Sequence, residues 1–260
     1  MKRVIFKNSR NLDLIGNLDL IGNLYTCNSK VIVIMCHGFT SDKHSSGRFE
    51  KMAKKLNELE IDVLAFDFSG CGESEDEVIT VSNQIDDLKN AIDHVRSLGY
   101  EKLAFYGHSL GTLICLNCYS NDIITMVLSG ACTAPVYYDW NQYLSEQQMS
   151  ELRDKGYTLY EAASNWRQYI KITAQTLLDF EQVNSEEMLR NVACPVLIIH
   201  GNNDEEERLL LKNSKNAVKY LSTESRIEVI DGATHSFQEH YYDILINMSE
   251  QWFTKYFGKS

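Results

Sequence analysis

The sequence predicts an α/β fold, a mostly parallel sheet with helices on both faces and a helical lid inserted late in the chain. Three observations carry that expectation. Short apolar runs recur, segments with helical spacing fall between them, and one long stretch breaks the alternation. Such runs mark strands buried on both faces, and alternation with amphipathic helices marks parallel crossovers.

The predicted strands are Val31–Cys36, Val63–Phe66, Leu103–Tyr106, Ile123–Leu128 and Val196–Ile199, with Arg226–Ile230 as one more. Between them, Phe49, Met52, Ala53, Leu56 and Leu59 repeat at helical spacing, as do Ile85, Leu88, Ile92 and Val95. Tyr241–Phe257 reads as a closing helix, with Ile244, Leu245, Met248, Trp252 and Phe253 available for one face. The chain of 260 residues reads as a single domain, 1–260. Such a length buries roughly 70–75% of its unfolded surface and needs no disulfide or metal to hold a core.

Two regions depart from the rhythm. Asn11-Leu12-Asp13-Leu14-Ile15-Gly16 is repeated as Asn17-Leu18-Asp19-Leu20-Ile21-Gly22. Two copies are too few for a solenoid, and an even insertion keeps downstream strand side chains on their own faces. The expectation is a functionally neutral duplication in an edge hairpin, with Gly16-Asn17 and Gly22-Asn23 as turns. The second region is 133–192, expected as a lid or cap subdomain between core strands. It carries Tyr137, Tyr138, Trp140, Tyr143, Tyr157, Tyr160, Trp166 and Tyr169. Some of these rings must form the insertion's own core. Their density suggests an aromatic pocket over the site, with Tyr138, Trp140 and Trp166 as lining residues.

Composition narrows the function classes. The net charge of −11 argues against nucleic acid and anionic membrane as partners. No apolar stretch reaches the roughly 18 residues of a membrane span, and the N-terminus lacks an extended apolar run, so a cytoplasmic location is expected. Seven scattered cysteines form no disulfide framework. Cys115 and Cys118 would lie one helical turn apart, with no second pair at zinc-site spacing, so no metal is expected.

The chemistry-bearing motif is Gly107-His108-Ser109-Leu110-Gly111, which follows the strand Leu103–Tyr106 and precedes a helical run. A strand, sharp turn and helix around G-x-S-x-G lift the serine hydroxyl above the sheet. Ser109 is the expected nucleophile, and the helix N-terminus offers free N–H groups to an oxyanion. A serine needs a base, and the expected chain order is serine, acid, histidine. After strand Val196–Ile199 comes His200-Gly201-Asn202-Asn203-Asp204; after Arg226–Ile230 comes Asp231-Gly232-Ala233-Thr234-His235. His235 is taken as base and Asp204 as the acid that orients it, with Glu205 the main alternative. The run Glu205-Glu206-Glu207 reads otherwise as a solvated helix start. His240 falls inside the closing helix, while His37 and His200 end buried strands and would satisfy backbone groups. His108 adjoins the nucleophile, its side chain aimed elsewhere by the tight turn, and is grouped with the pocket residues. His37-Gly38-Phe39-Thr40 follows the first core strand. The backbone N–H groups of Phe39 and Leu110 are the expected oxyanion hole, with the Phe39 ring lining the acyl pocket.

Together, His37-Gly38-Phe39, Asp67–Ser74, Gly107–Gly111, His200–Asp204 and Gly232–His235 resemble the signature segments of the α/β-hydrolase family. Within it the chain is most similar to small bacterial carboxylesterases of the cinnamoyl or feruloyl type and to monoacylglycerol lipases. The resemblance spans about residues 30–257. It implies a cofactor-free serine esterase acting on a small-molecule ester through an acyl-enzyme, with Asp67–Ser74 as a structural turn. Where relatives follow the acid with a short apolar and proline stretch, this chain has Glu205–Arg208. A thioesterase or proline-iminopeptidase-like peptidase with the same triad is the alternative, and a non-catalytic ligand-binding member is a third reading. A homodimer stays open.

Overall fold

The structure is a computed structural model that describes residues 1–10, 19–27 and 29–258. In chain order the strands are β1 (Lys2–Lys7), β2 (Asp19–Tyr25), β3 (Val31–Cys36), β4 (Asp62–Phe66), β5 (Lys102–His108), β6 (Ile123–Ser129), β7 (Tyr157–Glu161), β8 (Tyr169–Thr173), β9 (Val196–His200) and β10 (Arg226–Val229). The helices are α1 (Arg48–Glu58), α2 (Val81–Ser97), α3 (Leu110–Asn117), α4 (Glu146–Lys155), α5 (Ala174–Leu178), α6 (Ser185–Arg190), α7 (Glu205–Ala217) and α8 (His240–Phe257).

Eight strands form the main sheet in the order β1-β2-β4-β3-β5-β6-β9-β10. From β4 to β10 every pairing is parallel, whereas β1 and β2 make an antiparallel edge. This is the predicted α/β fold, and the core strands fall almost where the apolar runs put them. Both faces of the sheet are buried in alternation. Ile32, Ile34 and Cys36 join one apolar cluster with Leu88, Ile92 and Ile114, while Val33 and Met35 join another with Phe49, Met52, Leu245 and Trp252. All seven cysteines are free, and burial pushes the Cys115 and Cys118 thiols up, so this pair is core packing.

The edge hairpin exists, but Gly22-Asn23 is not its turn. Both residues lie inside β2, where a Cβ on Gly22 would come within 3.0 Å of Leu64 and 3.1 Å of the Ala65 carbonyl. Close strand approach, not a turn, explains that glycine. The first repeat copy and Gly16-Asn17 lie outside the described residues.

Between β6 and β9 the chain departs from the sheet. This segment holds α4, α5 and α6, as its helix-like pieces suggested, and adds the antiparallel hairpin β7–β8, which was not foreseen. The hairpin is tied to the body at several points. Ala163 N–H donates to the Thr40 carbonyl, Val78 bridges to Lys171, and Arg167 donates to the carbonyls of Gly72 and Ser74. The Asp67–Ser74 turn is itself locked from within. The buried Lys43 ammonium lies 2.7 Å from both Asp67 and Glu73, and a Cβ on Gly72 would strike the Asp67 carboxylate.

Candidate active site

Ser109 sits between β5 and α3 with φ 54° and ψ −126°, a conformation that side chains rarely adopt. The two glycines make it feasible. A Cβ on Gly111 would lie 2.3 Å from the Cys36 carbonyl oxygen, and one on Gly107 would lie 2.9 Å from Thr112 Cα. The serine backbone is pinned as well. Its N–H donates to the Ser129 carbonyl, and its own carbonyl accepts from Thr112 N–H and Oγ1.

His235 reaches this serine from the loop between β10 and α8, with Nε2 at 2.9 Å from Ser109 Oγ. Its other nitrogen, Nδ1, lies 2.5 Å from Oε1 of Glu207. The acid on the imidazole is therefore Glu207, and neither Asp204 nor Glu205 takes that place. Asp204 is the N-cap of α7; its carboxylate accepts from Glu207 N–H at 2.7 Å and from the backbone N–H of His235, also at 2.7 Å. Glu205 is exposed. Glu207, at the third helical position, turns inward on the first turn of α7 and is fully buried.

The second Glu207 oxygen is equally committed. It accepts from Gly201 N–H at 2.8 Å and bonds His200 Nδ1 at 2.9 Å. His200 is fully buried, and its Nε2 meets Ser214 Oγ at 2.9 Å, which meets Thr133 Oγ1 at 3.0 Å. His200 thus holds a side-chain carboxylate and hydroxyl, rather than backbone groups. The loops carrying acid and base are stitched together: Asn202 and Asn203 N–H donate to the Ala233 carbonyl, and Gly232 N–H donates to the Asn202 side chain.

Charge on this run follows from burial and partners. Burial alone would raise the Glu207 carboxyl, but hydrogen bonds from His200 and His235 win and hold it down at about 2. Burial would likewise push His235 down, yet the Glu207 hydrogen bond and the charges of Glu206, Glu207 and Asp204 hold it above its usual value. Carboxylates favour the imidazolium, whereas a base must be neutral. Activity on a neutral ester should therefore fall as pH drops, with the acid limb of kcat/KM above pH ~6.5. Glu206→Gln removes one of the raising charges and should move that limb to lower pH; an unchanged limb would rule out this electrostatic account.

Gly130 gives a steric test of the same geometry. With φ +56°, a Cβ there would lie 2.7 Å from His235 Cε1 and 2.9 Å from Glu207 Oε1. Gly130→Ala should push the pair apart and lower kcat by roughly 10²-fold, the usual cost of about 1 Å of misplacement. Steady-state kinetics beside a thermal melt separate that loss from unfolding, and turnover within twofold of the parent would refute it.

His108 packs beneath the base, its ring 5.2 Å from that of His235 and its Nδ1 3.1 Å from Ser129 Oγ. Burial holds it well below its usual value, so it is a neutral platform under the imidazole. Phe39 and Gly38 follow β3, and a Cβ on Gly38 would lie 3.0 Å from Ser109 Cβ. The Gly38 carbonyl takes hydrogen bonds from His37 Nδ1 and Ser41 N–H, which aims the Phe39 N–H of the same trans peptide the opposite way. His37 Nε2 accepts from Phe68 N–H, so its tautomer is fixed. Leu110 is the first residue of α3, and its N–H has no partner within the helix.

The Phe39 ring packs on Tyr160 and Phe180, and Phe180 packs on Tyr138 and Trp140. Tyr138 Oη donates to Glu206 Oε1 at 2.8 Å, and that oxygen is 4.0 Å from His235 Nε2. Phe39, His108, Tyr138 and Trp140 are thus joined to the site. Trp166 is not. It stacks on His44, with the Lys43 ammonium over its ring, and lines a separate cavity with Asp42, His44 and Glu50. It lies in the seven-residue connection 162–168 between β7 and β8, beside Gly47 and Glu50 at the start of α1 rather than beside Ser109.

Residues 28–178, more than half of the 260, match the family model Hydrolase_4, described as serine aminopeptidase, S33. The chain belongs to this family of α/β hydrolases. Its fold is shared with solved structures that include the following three. Est1E of Butyrivibrio proteoclasticus, solved with ferulic acid bound, has 18% identity and a TM-score of 0.71, covering 92% of this chain and 96% of that one. An esterase from Thermogutta terrifontis has 17% identity and a TM-score of 0.71, covering 98% and 99%. The Pyrococcus furiosus esterase Pf2001 has 18% identity and a TM-score of 0.72, covering 99% and 93%. No curated protein matches the chain. Among the described residues, no helix is long and apolar enough to cross a membrane.

Proposed function

We propose that this α/β hydrolase is a serine esterase that cleaves carboxylic esters of moderate-size acyl or aryl acids through an acyl-enzyme on Ser109. The observation that carries the reading is the unbroken hydrogen-bond run from Ser109 Oγ through His235 to Glu207. His235 Nε2 takes the serine proton as Oγ attacks the ester carbonyl carbon. Glu207 holds the proton on Nδ1 and stabilises the imidazolium that forms. The Phe39 and Leu110 N–H groups receive the carbonyl oxygen as it becomes an oxyanion. His235 then returns the proton to the leaving alkoxide, and a water molecule, activated in the same way, frees the acid. Residues 133–192 act as the cap, with Phe39, Tyr138, Trp140 and Phe180 forming the apolar wall against the acyl group.

The family description also favours keeping an amide arm in the test. Purified protein is assayed on p-nitrophenyl esters of graded acids, methyl ferulate, acyl-CoA thioesters and aminoacyl-naphthylamides. Ester cleavage with labelling of Ser109 by a fluorophosphonate is the expected outcome. Turnover confined to the naphthylamides would replace the esterase with a peptidase, and confined to the thioesters, with a thioesterase.

A further inference from the structure

The site holds a carboxylate that the triad does not use. Glu207 is buried and fully occupied, but Glu206 faces outward at the mouth, with its side chain 39% exposed. One of its oxygens is held by Tyr138 Oη, itself braced by Trp140, Tyr143 and Phe180. Among the described residues, the sole basic group within 4.0 Å of it is His235, on the nitrogen that faces Ser109. The negative charge is thus fixed in position, beside the reacting atoms, and among the described residues no Lys or Arg pairs with it.

Where that charge falls along a bound ester follows from the reaction. The leaving oxygen must come within hydrogen-bond reach of His235 Nε2 to receive its proton. The first atoms of the leaving alcohol therefore pass close to the Glu206 carboxylate, while the acyl carbon is held at Ser109. We infer that Glu206 selects the leaving group by charge, so that the preferred substrates are esters of alcohols bearing a cationic, ammonium-type group, and esters of anionic alcohols are rejected. This rests on the esterase reading above.

The test uses three butyryl esters that share one acyl group and hence one acyl-enzyme: butyrylcholine, its uncharged isostere 3,3-dimethylbutyl butyrate, and anionic 3-(butyryloxy)propanoate. For the parent protein kcat/KM should fall in that order, with about tenfold or more between the first two at low salt and less at high salt. Glu206→Gln should bring the choline and isostere values within about twofold, and Glu206→Lys should invert the order. Cleavage of the neutral ester with a cation-to-neutral ratio near one, unmoved by either substitution, overturns the selection and leaves the esterase intact. Failure to cleave any of the three, with Ser109 unlabelled by fluorophosphonate, overturns both.

Discussion

Ser109→Ala should lower ester turnover by roughly 10⁴–10⁶-fold while leaving the fold in place. The oxygen removed is the atom 2.9 Å from His235 Nε2, and its hydrogen bonding is to that ring. The strained backbone at this position is enforced by neighbours rather than by the hydroxyl. The Ser109 N–H and carbonyl keep their bonds to Ser129 and Thr112 in the variant, and the close approaches at Gly107 and Gly111 are unaltered. Thermal midpoints should therefore agree within a few degrees. Residual activity well above the uncatalysed rate is still expected, because the Phe39 and Leu110 N–H groups can polarise a bound carbonyl for attack by water. Turnover of p-nitrophenyl butyrate is the measurement, with circular dichroism as the folding control. A loss smaller than tenfold would place the nucleophile elsewhere.

The parts of this molecule that were legible in the sequence are those where burial leaves one pattern available. Strands β3 to β6 and β9 are covered on both faces, so each is built on a short apolar run, broken within only by Thr125 in β6, and their ends fall within a residue or two of the expected ones. The hairpin β7–β8 was missed for the opposite reason. In Tyr157–Glu161 one face is exposed, and the rings of Tyr157 and Tyr160 read as lid aromatics rather than as strand alternation. Trp166 was drawn to the site by residue type alone. An aromatic side chain in an insertion carries no directional signal, and this one stacks on His44 instead.

The acid was misplaced although its signal was present. Asp204 and Glu207 stand at the spacing of an N-cap and the third helical residue, a recognised helix-start pattern. An N-cap carboxylate is committed to the first-turn N–H groups, and Asp204 is so committed, to Glu207 N–H. The residue left free to turn inward is the one three positions on. The absence of the apolar and proline stretch after Asp204 marked the same departure. His200 could have been found with it, because a histidine ending a buried strand needs a polar partner on each nitrogen.

Glu207→Gln should therefore be far more damaging than Asp204→Asn, lowering kcat by roughly 10³–10⁴-fold against less than about tenfold. The size of the effect follows from which atoms the amide must satisfy. At the Oε2 position stand two donors, Gly201 N–H and His200 Nδ1, so the glutamine carbonyl is drawn there. That leaves the NH₂ facing His235 Nδ1, where the carboxylate oxygen had been at 2.5 Å. A donor at this point forces the ring proton onto Nε2, and a protonated Nε2 cannot accept the proton of Ser109. Geometry survives, but the tautomer is wrong. Asp204→Asn keeps one oxygen to cap α7 at Glu207 N–H, so the helix and its inward-turned Glu207 stay in place, and the loss is confined to the bond from the His235 backbone N–H. The two variants are compared by single-turnover kinetics on one p-nitrophenyl ester, with thermal melts alongside. The reverse ranking, with Glu207→Gln active and Asp204→Asn dead, would return the orienting role to Asp204.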